Sequence, residues 1–358
     1  MNKTDLFDRY IRLWQFFGDI RRNSDCIRSA KSHTSHMLDK NQERLAIGYW
    51  RSYVRINPIF HAFYTEKTGI FDEKYIPDNL YYTKIDPFYN DWNAAKTVDN
   101  KCYYENIFSV VGGEVRHPIT LFRRVNNKWI DRDWHIISFE DMYTQIASID
   151  CFFLKLATQS EGGHGVFFFE TGKEEFESKF NKTVEEYAND LVIQLPIKQC
   201  EQLSAINKSS INTIRILSLF RNGEIKVYSS ILRMGIGDSK VDNASSGGIT
   251  CGIDDSGRLK RVAYSANGDR YDVHPTSKVA FSDVIIPGYQ KAMELVKRLH
   301  PVIPNFRLVS WDIAIDEHEE PVLVECNLKY GELDFHQLNN GPLFGEDTEE
   351  ILREVFKS

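Results

Sequence analysis

The sequence predicts an α+β fold, in which antiparallel hairpins pack with helices to one side. Three observations support this class. Apolar residues alternate on both sides of short polar turns, which predicts hairpins at 119–129, 213–232 and 308–327. Apolar residues recur at helical spacing in 282–299 and 348–356. We find no internal repeat and no low-complexity linker in the chain.

The composition is that of a globular protein. The chain has 358 residues, 42% of them hydrophobic and 27% charged, a length typical of two or three domains. The net charge is −7, and no block of basic residues predicts sequence-independent binding of nucleic acid. We expect no signal peptide and no transmembrane segment, because no apolar run approaches the roughly 20 residues that a span needs. Six scattered cysteines without a C-x-x-C pair predict reduced thiols and a cytoplasmic protein.

The first part of the chain predicts helices followed by a hairpin. Helical spacing covers residues 1 to about 50, with a second helix at 38–50. Residues 58–89 are rich in aromatic and loop-forming residues, and 93–108 returns to a helix-like pattern. Asn126 and Asn127 mark the turn of the 119–129 hairpin, and Ser138, with Asp141 three residues on, predicts the start of a helix at 138–149.

The middle of the chain predicts strands around a glycine-rich turn. Two apolar runs flank this turn within 151–169, and a short helix is expected within 176–188. A strand at 190–197 ends at Pro196, and Asn222 and Gly223 form the turn of the 213–232 hairpin.

The 308–327 hairpin carries a candidate metal site. Asp312 lies in the apolar run W-D-I-A-I, and Glu325 and Asn327 follow a second apolar run at a spacing of two. In a strand this spacing puts both side chains on one face, and an antiparallel partner can set Asp312 opposite them. Two carboxylates and an amide oxygen suit Mg²⁺ or Mn²⁺. The alternative is a solvated acidic edge, but a carboxylate among apolar residues is costly unless it is paired or metal-bound.

The glycine-rich turn, Ser160 to Gly165, is a candidate phosphate-binding loop. Gly162, Gly163 and Gly165 let backbone N–H groups approach an anion closely. Lys155 projects from the preceding run F-F-L-K-L, where an ammonium among apolar residues requires an anion. The motif is not a P-loop, since G-x-x-x-x-G-K-[ST] is absent. The alternative is a flexible hairpin without a ligand.

Two arginines occupy comparable apolar settings. Arg215 lies in N-T-I-R-I and Arg233 ends S-I-L-R, and Asn243 and the Gly247–Gly248 pair follow. Each arginine alone is more typical of a surface or salt-bridge residue. With Lys155 and the acidic hairpin, however, they form the parts of an enzyme that handles nucleotide phosphates.

The order of these parts resembles the ATP-grasp superfamily: a lysine on a strand, a glycine loop, a hinge strand and a late hairpin of the form D…E-x-N. The segments N-T-I-R-I, L-R-M-G…D-N…G-G and S-W-D-I-A-I…V-E-C-N resemble the sugar-transfer-associated ATP-grasp proteins, which are found with polysaccharide biosynthesis genes. The resemblance covers about residues 58–345. It implies an ATP-grasp fold, in which two α+β subdomains grip ATP, preceded by an N-terminal helical region.

The resemblance also implies roles and boundaries. The residues that would bind ATP, through its phosphates, adenine hinge and ribose, are Lys101, Lys155, Gly162, Gly163, Gly165, Gln194, Leu195, Ile197 and Glu201. The metal ligands would be Asp312, Glu325 and Asn327, and the residues facing the transferred phosphate and the acceptor would be Arg215, Arg233 and Asn243. The implied divisions are a helical segment (1–57), a pre-ATP-grasp domain (58–135), a lid subdomain (136–198) and a C-terminal subdomain with the metal site (199–358).

Two positions depart from the superfamily pattern. Gln194 stands where many ligases have glutamate, and Ser310 stands where they have a basic residue. Arg215 or Arg233 would then supply the cation that neutralises a tetrahedral intermediate.

Together these features predict an ATP- and Mg²⁺-dependent ligase that joins a carboxylate to an amine through an acyl phosphate. The family context implies that the carboxylate belongs to a uronic acid, or to an amino acid, of a cell-surface polysaccharide precursor such as that of a capsule. One alternative is a kinase of the same fold that phosphorylates a sugar hydroxyl, with His336 or Glu332 near the acceptor. The other is a non-catalytic nucleotide-binding scaffold in polysaccharide assembly.

Overall fold

The computed structural model describes residues 3–158, 165–187, 190–243 and 247–357, with side chains from residue 18 onward. Two antiparallel sheets form its framework, as the α+β prediction requires. The first has the order β3–β2–β1–β6–β4–β5 and comprises β1 (Thr120–Val125), β2 (Lys128–Ile130), β3 (Ile136–Ile137), β4 (Cys151–Leu156), β5 (Val166–Glu170) and β6 (Leu191–Gln194). The second has the order β11–β10–β9–β8–β7–β12–β13 and comprises β7 (Thr213–Arg221), β8 (Glu224–Met234), β9 (Ile249–Ile253), β10 (Leu259–Ser265), β11 (Arg270–Tyr271), β12 (Leu308–Ile315) and β13 (Pro321–Asn327).

Helices of very different lengths surround the sheets. In chain order the described α-helices are α1 (Lys3–Ser32), α2 (Lys40–Trp50), α3 (Ile59–Thr68), α4 (Asp78–Leu80), α5 (Asp86–Tyr89), α6 (Ala95–Val98), α7 (Tyr104–Phe108), α8 (Phe139–Ile146), α9 (Phe176–Glu186), α10 (Glu201–Ile206), α11 (Tyr289–Leu299), α12 (Leu333–Asn340) and α13 (Thr348–Lys357). Within the described part of the chain, no helix combines the length and the apolar character needed to cross a membrane.

The three predicted hairpins are confirmed as β1–β2, β7–β8 and β12–β13. Asn126 and Asn127 have φ angles of 49° and 59°, and Asn222 and Gly223 have 54° and 81°. Two consecutive residues with positive φ match the right-handed twist of the strands they join, which is why Asn and Gly mark these turns. The predicted start of α8 is also confirmed, since the Ser138 hydroxyl accepts a hydrogen bond from the Asp141 N–H at 3.0 Å.

The predicted start of the 282–299 helix was wrong. Helix α11 begins at Tyr289, because Pro287 is followed by Gly288 with φ of 66°. A Cβ at position 288 would lie 2.4 Å from the carbonyl oxygen of Glu319, so only glycine fits there. The apolar residues before Gly288 therefore belong to an irregular segment.

Helices pack against both sheets, and the second sheet is covered on both of its faces. All eight residues of β12 are buried, with Trp311 at the centre, and α11 covers the same core through Ala292, Leu295 and Val296. In the first sheet, α8 and α9 pack on aromatic residues of β4 and β5. Each fully buried large apolar side chain contributes roughly 1.5–3 kcal/mol to folding. Burial of these side chains therefore stabilises both sheets.

Pairing between β1 and β6 joins two groups of three strands into the first sheet. Because β1, β2 and β3 join β4, β5 and β6 in one sheet, the boundary predicted between residues 135 and 136 falls inside that sheet. The N-terminal helices pack onto the body, with Ala30 of α1 buried among Phe60 and Phe63 of α3. All six cysteines are unpaired.

Candidate active site

A cavity of about 950 Å³ is lined by residues of both sheets. Its walls come from β4 and β5 on the first sheet and from β7, β8, β12 and β13 on the second, with residues 195–199 after β6 completing them. The predicted site residues that line it are Lys101, Lys155, Leu195, Ile197, Arg215, Arg233, Asn243, Asp312, Glu325 and Asn327. Strands distant in the chain thus bring most of the predicted set together.

The remaining predicted residues lie elsewhere. Gln194 is buried and donates a side-chain hydrogen bond to the Thr120 hydroxyl at 3.1 Å, while Glu201 opens α10 and is exposed; neither lines the cavity. Gly165, with φ of 74°, touches β4 closely enough that a Cβ would meet Leu156 at 2.4 Å. Gly162 and Gly163 lie outside the described residues.

The cavity is strongly cationic. Ten lysine and arginine side chains and five aspartate and glutamate side chains line it, although the whole chain has a net charge of −7. A concave surface with an excess of one charge attracts ligands of the opposite charge. The cavity therefore suits an anionic ligand.

Asp312 is the anion on which two arginines converge. Arg215 stands opposite it on β7 and donates through Nε and Nη2 to its two oxygens, each at 2.8 Å. Arg233, on β8, donates through Nη1 to Oδ2 at 2.8 Å. Burial alone would raise the pKa of Asp312, but Arg215 and Arg233 lower it to about 2. Asp312 is therefore a carboxylate at neutral pH.

The two arginines have further partners at the cavity wall. Arg215 donates through Nη1 to Glu332, and Arg233 donates through Nη2 to the side-chain oxygen of Asn243. Asp242 lies 3.8 Å from Arg233 and accepts a hydrogen bond from the Thr213 N–H at 3.2 Å. No sequence pattern pairs Glu332 with Arg215, because Glu332 lies in a loop with a φ of 55°.

Glu325 holds a buried lysine. The Nζ of Lys101 donates to its Oε1 at 2.7 Å, and only 6% of the lysine side chain is exposed. Burial would lower the pKa of Lys101, but Glu325 raises it overall, so the ammonium stays charged. Lys155 behaves differently, because burial and the nearby charge of Lys101 lower its pKa to about 8. Among the described residues Lys155 has no carboxylate partner as close as Glu325 is to Lys101, which suits a phosphate-binding role.

The acidic hairpin fits a magnesium ion that also binds substrate phosphates. Asp312 lies opposite Glu325 and Ser310 opposite Asn327, so the three candidate ligands share one face. The side-chain nitrogen of Asn327 donates to Asp312 and to the Ser310 carbonyl, at 3.3 and 3.2 Å, which leaves its oxygen for a ligand. The described residues contain no cluster of three His, Cys, Asp or Glu side chains that could hold an ion by itself. Magnesium typically takes one or two carboxylates and completes its shell with water and phosphate oxygens.

The fold and the site define the class of protein. Two antiparallel sheets line a cationic cavity in which lysines and arginines lie beside an acidic hairpin, an arrangement that agrees with an ATP-grasp protein. A family model described as sugar-transfer associated ATP-grasp matches residues 81–352. The chain belongs to this family. Members of the ATP-grasp superfamily generally use ATP with Mg²⁺.

Solved structures add only a general likeness. The D-Ala:D-Ser ligase VanG of Enterococcus faecalis is 13% identical, with 75% of this chain and 63% of that one covered and a TM-score of 0.43. The D-alanyl-alanine synthetase A of Vibrio cholerae is 11% identical (75% and 67% covered, TM-score 0.44), and an L-amino acid ligase of Bacillus licheniformis is also 11% identical (73% and 48% covered, TM-score 0.41).

The chain spans about half to two thirds of the length of these proteins. Membership of the sugar-transfer associated family rests on the family model and not on these structures, whose TM-scores are below 0.5. No curated protein sequence matches the chain significantly.

Proposed function

We propose that this protein is an ATP- and Mg²⁺-dependent, ADP-forming carboxylate–amine ligase. The observation that carries the proposal is the fixation of Arg215 and Arg233 on Asp312 at the cavity wall. Each guanidinium has five N–H donors. Arg215 commits three of them to described residues and Arg233 two, so both keep donors for a ligand.

The reaction needs fixed cations at two successive stages. A carboxylate oxygen of the acid attacks the γ-phosphorus of ATP, the bond to the β-phosphate oxygen breaks with its electron pair, and ADP leaves. The amine nitrogen then attacks the carbonyl carbon of the acyl phosphate, and phosphate leaves with the electron pair of the C–O bond. The nitrogen loses one proton, to the departing phosphate or to solvent, and the amide remains. Donors fixed beforehand where the tetrahedral oxyanion develops stabilise it more than donors that must reorient. We assign that role to Arg215 and Arg233.

Other residues would hold the nucleotide. Lys101 and Lys155 would neutralise its phosphates, and the backbone of 195–197 would contact the adenine. Asp312, Glu325 and Asn327 would hold Mg²⁺, which when bound supplies Lewis-acid polarisation of phosphate oxygens. Lys155 is charged below its pKa of about 8, so it can perform this role at neutral pH.

The two candidate bases near the acceptor, His336 and Glu332, favour a ligase over a kinase. A kinase needs a base near the hydroxyl that it phosphorylates. His336 is fully buried, its Nδ1 lies 2.7 Å from the Ser229 hydroxyl, and burial lowers its pKa to about 3. It also does not line the cavity. Glu332 does line it, which keeps the kinase as the second candidate, but Glu332 is already paired with Arg215.

The family's association with sugar transfer supports an acid drawn from polysaccharide synthesis. We propose a uronic acid, or an amino acid attached to a sugar precursor, as the carboxylate substrate. The dependence on ATP fits an enzyme of the cytoplasm.

A screen of uronic acids with amino acids and ATP, read by mass spectrometry, tests the proposal. With the correct acid, hydroxylamine should trap the acyl phosphate as a hydroxamate, and inorganic phosphate should appear in step with ADP. If phosphate remains on an acceptor hydroxyl while ADP forms, the kinase replaces the ligase. If no acceptor in the screen supports ATP turnover while ATP still binds, the nucleotide-binding scaffold replaces both.

A further inference from the structure

Arg22 of α1 reaches the wall of the same cavity from outside the segment that the family model matches. Its guanidinium carbon lies 3.7 Å from the ring centroid of Tyr330. Tyr330 also lines the cavity and lies two residues before Glu332, the partner of Arg215. Helix α1 therefore adds a cation beside the acceptor side of the candidate active site.

The position of Arg22 is fixed by contacts on its own helix. The side-chain oxygen of Asn23 accepts a hydrogen bond from Asn79 at 2.6 Å. Cys26 and Ala30, one and two turns further on, pack against the aromatic cluster of α3. Residues at these spacings share a helix face. The face that docks on the body of the protein thus carries Arg22 to the cavity.

Arg22 differs from the neighbouring arginines of α1 in its pairing. Arg21 and Arg28 both lie near Asp25, at 3.8 and 3.3 Å, and their side chains are exposed. Arg22 is partly buried and forms neither an ion pair nor a hydrogen bond with any side chain in the described part of the chain. Its contact with Tyr330 uses the flat face of the guanidinium, which leaves the edge donors for a ligand.

A purely structural role, as counter-ion to Asp86, explains the arrangement less well. Burial raises the pKa of Asp86 to about 6, and Arg22 is among the groups that oppose this rise. Yet Asp86 accepts its hydrogen bonds from neutral donors, the Tyr330 N–H at 2.8 Å and the Asn90 amide at 2.7 Å. The field of Asp86 helps to keep Arg22 in place without occupying its donors.

We propose that Arg22 binds an anionic group of the acid substrate, a carboxylate or a phosphate ester separate from the reacting carboxylate. The inference rests on the proposed ligase function. A planar fork of N–H donors matches either anion with two parallel hydrogen bonds. The excess of cations over acids at the cavity wall agrees with a substrate that brings more negative charge than ATP alone.

The test compares three probes by calorimetry, with the nucleotide site saturated by a non-hydrolysable ATP analogue and Mg²⁺. Methyl glucuronide has one carboxylate, glucaric acid adds a second carboxylate, and glucuronic acid 1-phosphate adds a phosphate. The wild type should bind at least one of the last two more tightly than methyl glucuronide. Arg22→Ala should weaken that binding about 10- to 100-fold, the usual effect of losing a hydrogen bond to a charged group. The probe that loses affinity identifies the anion.

Matched variants isolate the role of Arg22. Arg21→Ala removes an exposed arginine from the same helix and should change no affinity. Arg22→Lys keeps the charge but loses the fork, so it should fall between the wild type and Arg22→Ala. The inference is overturned if the wild type binds all three probes equally. It is also overturned if Arg22→Ala weakens methyl glucuronide or the ATP analogue as strongly as the dianionic probes.

The readout does not require turnover, so the two proposals can fail separately. If no hydroxamate forms with any acid but the second anion still binds through Arg22, the ligase proposal falls and the anion site stands. If hydroxamate formation depends on the acid concentration in the same way in the wild type and in Arg22→Ala, the anion-site proposal is wrong and the ligase proposal is retained.

Discussion

Arg215 and Asp312 face each other across the β7–β12 pair and are joined by two N–H···O bonds of 2.8 Å each. Both side chains are about 5% exposed. A buried carboxylate that is held by two hydrogen bonds in parallel has one orientation, and the guanidinium on it has one as well. The pair thus fixes a cation at the cavity wall and keeps the candidate metal ligand ionised.

Replacement of Asp312 by asparagine should destabilise the fold as well as the site. The change leaves Arg215 and Arg233 buried without their shared counter-ion, and breaking a buried pair typically costs about 3–5 kcal/mol. Urea unfolding measures the free energy of unfolding. Asp347→Asn, which removes a partner of the exposed Lys226, is the control and should cost less than about 1 kcal/mol. Equal losses in the two variants would contradict the role given to the Asp312 cluster.

Glu325→Gln should abolish turnover while the protein remains folded. The amide oxygen can still accept the hydrogen bond from Lys101, but the negative charge offered to a metal is gone. Product formation and the melting temperature are measured together. Glu320→Gln, at the turn of the same hairpin beside Lys291, should leave both unchanged. If a folded Glu325→Gln variant keeps the wild-type rate, Glu325 is not a metal ligand.

Lys155→Ala should weaken ATP binding by about 1.5–3 kcal/mol, the usual cost of losing one hydrogen bond to a charged group. Titration with a fluorescent ATP analogue measures the affinity. Lys182→Ala, which removes an exposed lysine of α9, serves as the control. A fall in melting temperature with unchanged affinity would mean that Lys155 has a structural role instead.

ATP binding should take up a proton above about pH 8. Burial and Lys101 lower the pKa of Lys155 to about 8 in the free protein, while Glu325 and Asp242 partly oppose the shift. Bound phosphates would raise that pKa, so the complex holds more protons than the free protein, and affinity falls as the pH rises above about 8. Calorimetry at about pH 9 in two buffers of different ionisation enthalpy measures the uptake. Lys155→Arg, which stays charged, should abolish it; uptake that persists in this variant must come from another group.

His300 should make the protein less stable as the pH falls below about 6.5. Burial lowers its pKa to about 4, with the ring between the Ser218 hydroxyl and the Phe306 carbonyl at 2.8 and 3.0 Å. Below the ordinary value of about 6.5 the unfolded chain binds the proton first, so stability rises with pH between these values by up to about 1.4 kcal/mol per unit. The stability advantage of the wild type over His300→Gln should therefore shrink from pH 6.5 towards 4. An unchanged difference across that range would contradict the prediction, and His318→Gln, at an exposed site, is the control.

Several elements could be predicted because their signals are local. Paired Asn and Gly residues with positive φ mark the hairpin turns, and period-two alternation marks the strands on both sides. Strand β9 was not predicted, since all five of its residues are buried and it shows no alternation. Helix α12 was not predicted either, because His336, Gln337 and Asn339 are polar residues that are buried there.

The sequence by itself determined the face that Asp312, Glu325 and Asn327 share, because spacing along one hairpin fixes side-chain direction. Only the tertiary structure decided which cations meet them. Arg215 comes from 97 residues before Asp312 and Lys101 from 224 residues before Glu325. Arg22 reaches Tyr330 across nearly the whole chain. Such partners depend on the order of strands in a sheet and on how helices dock, and both follow from the burial of whole surfaces, which no local spacing encodes.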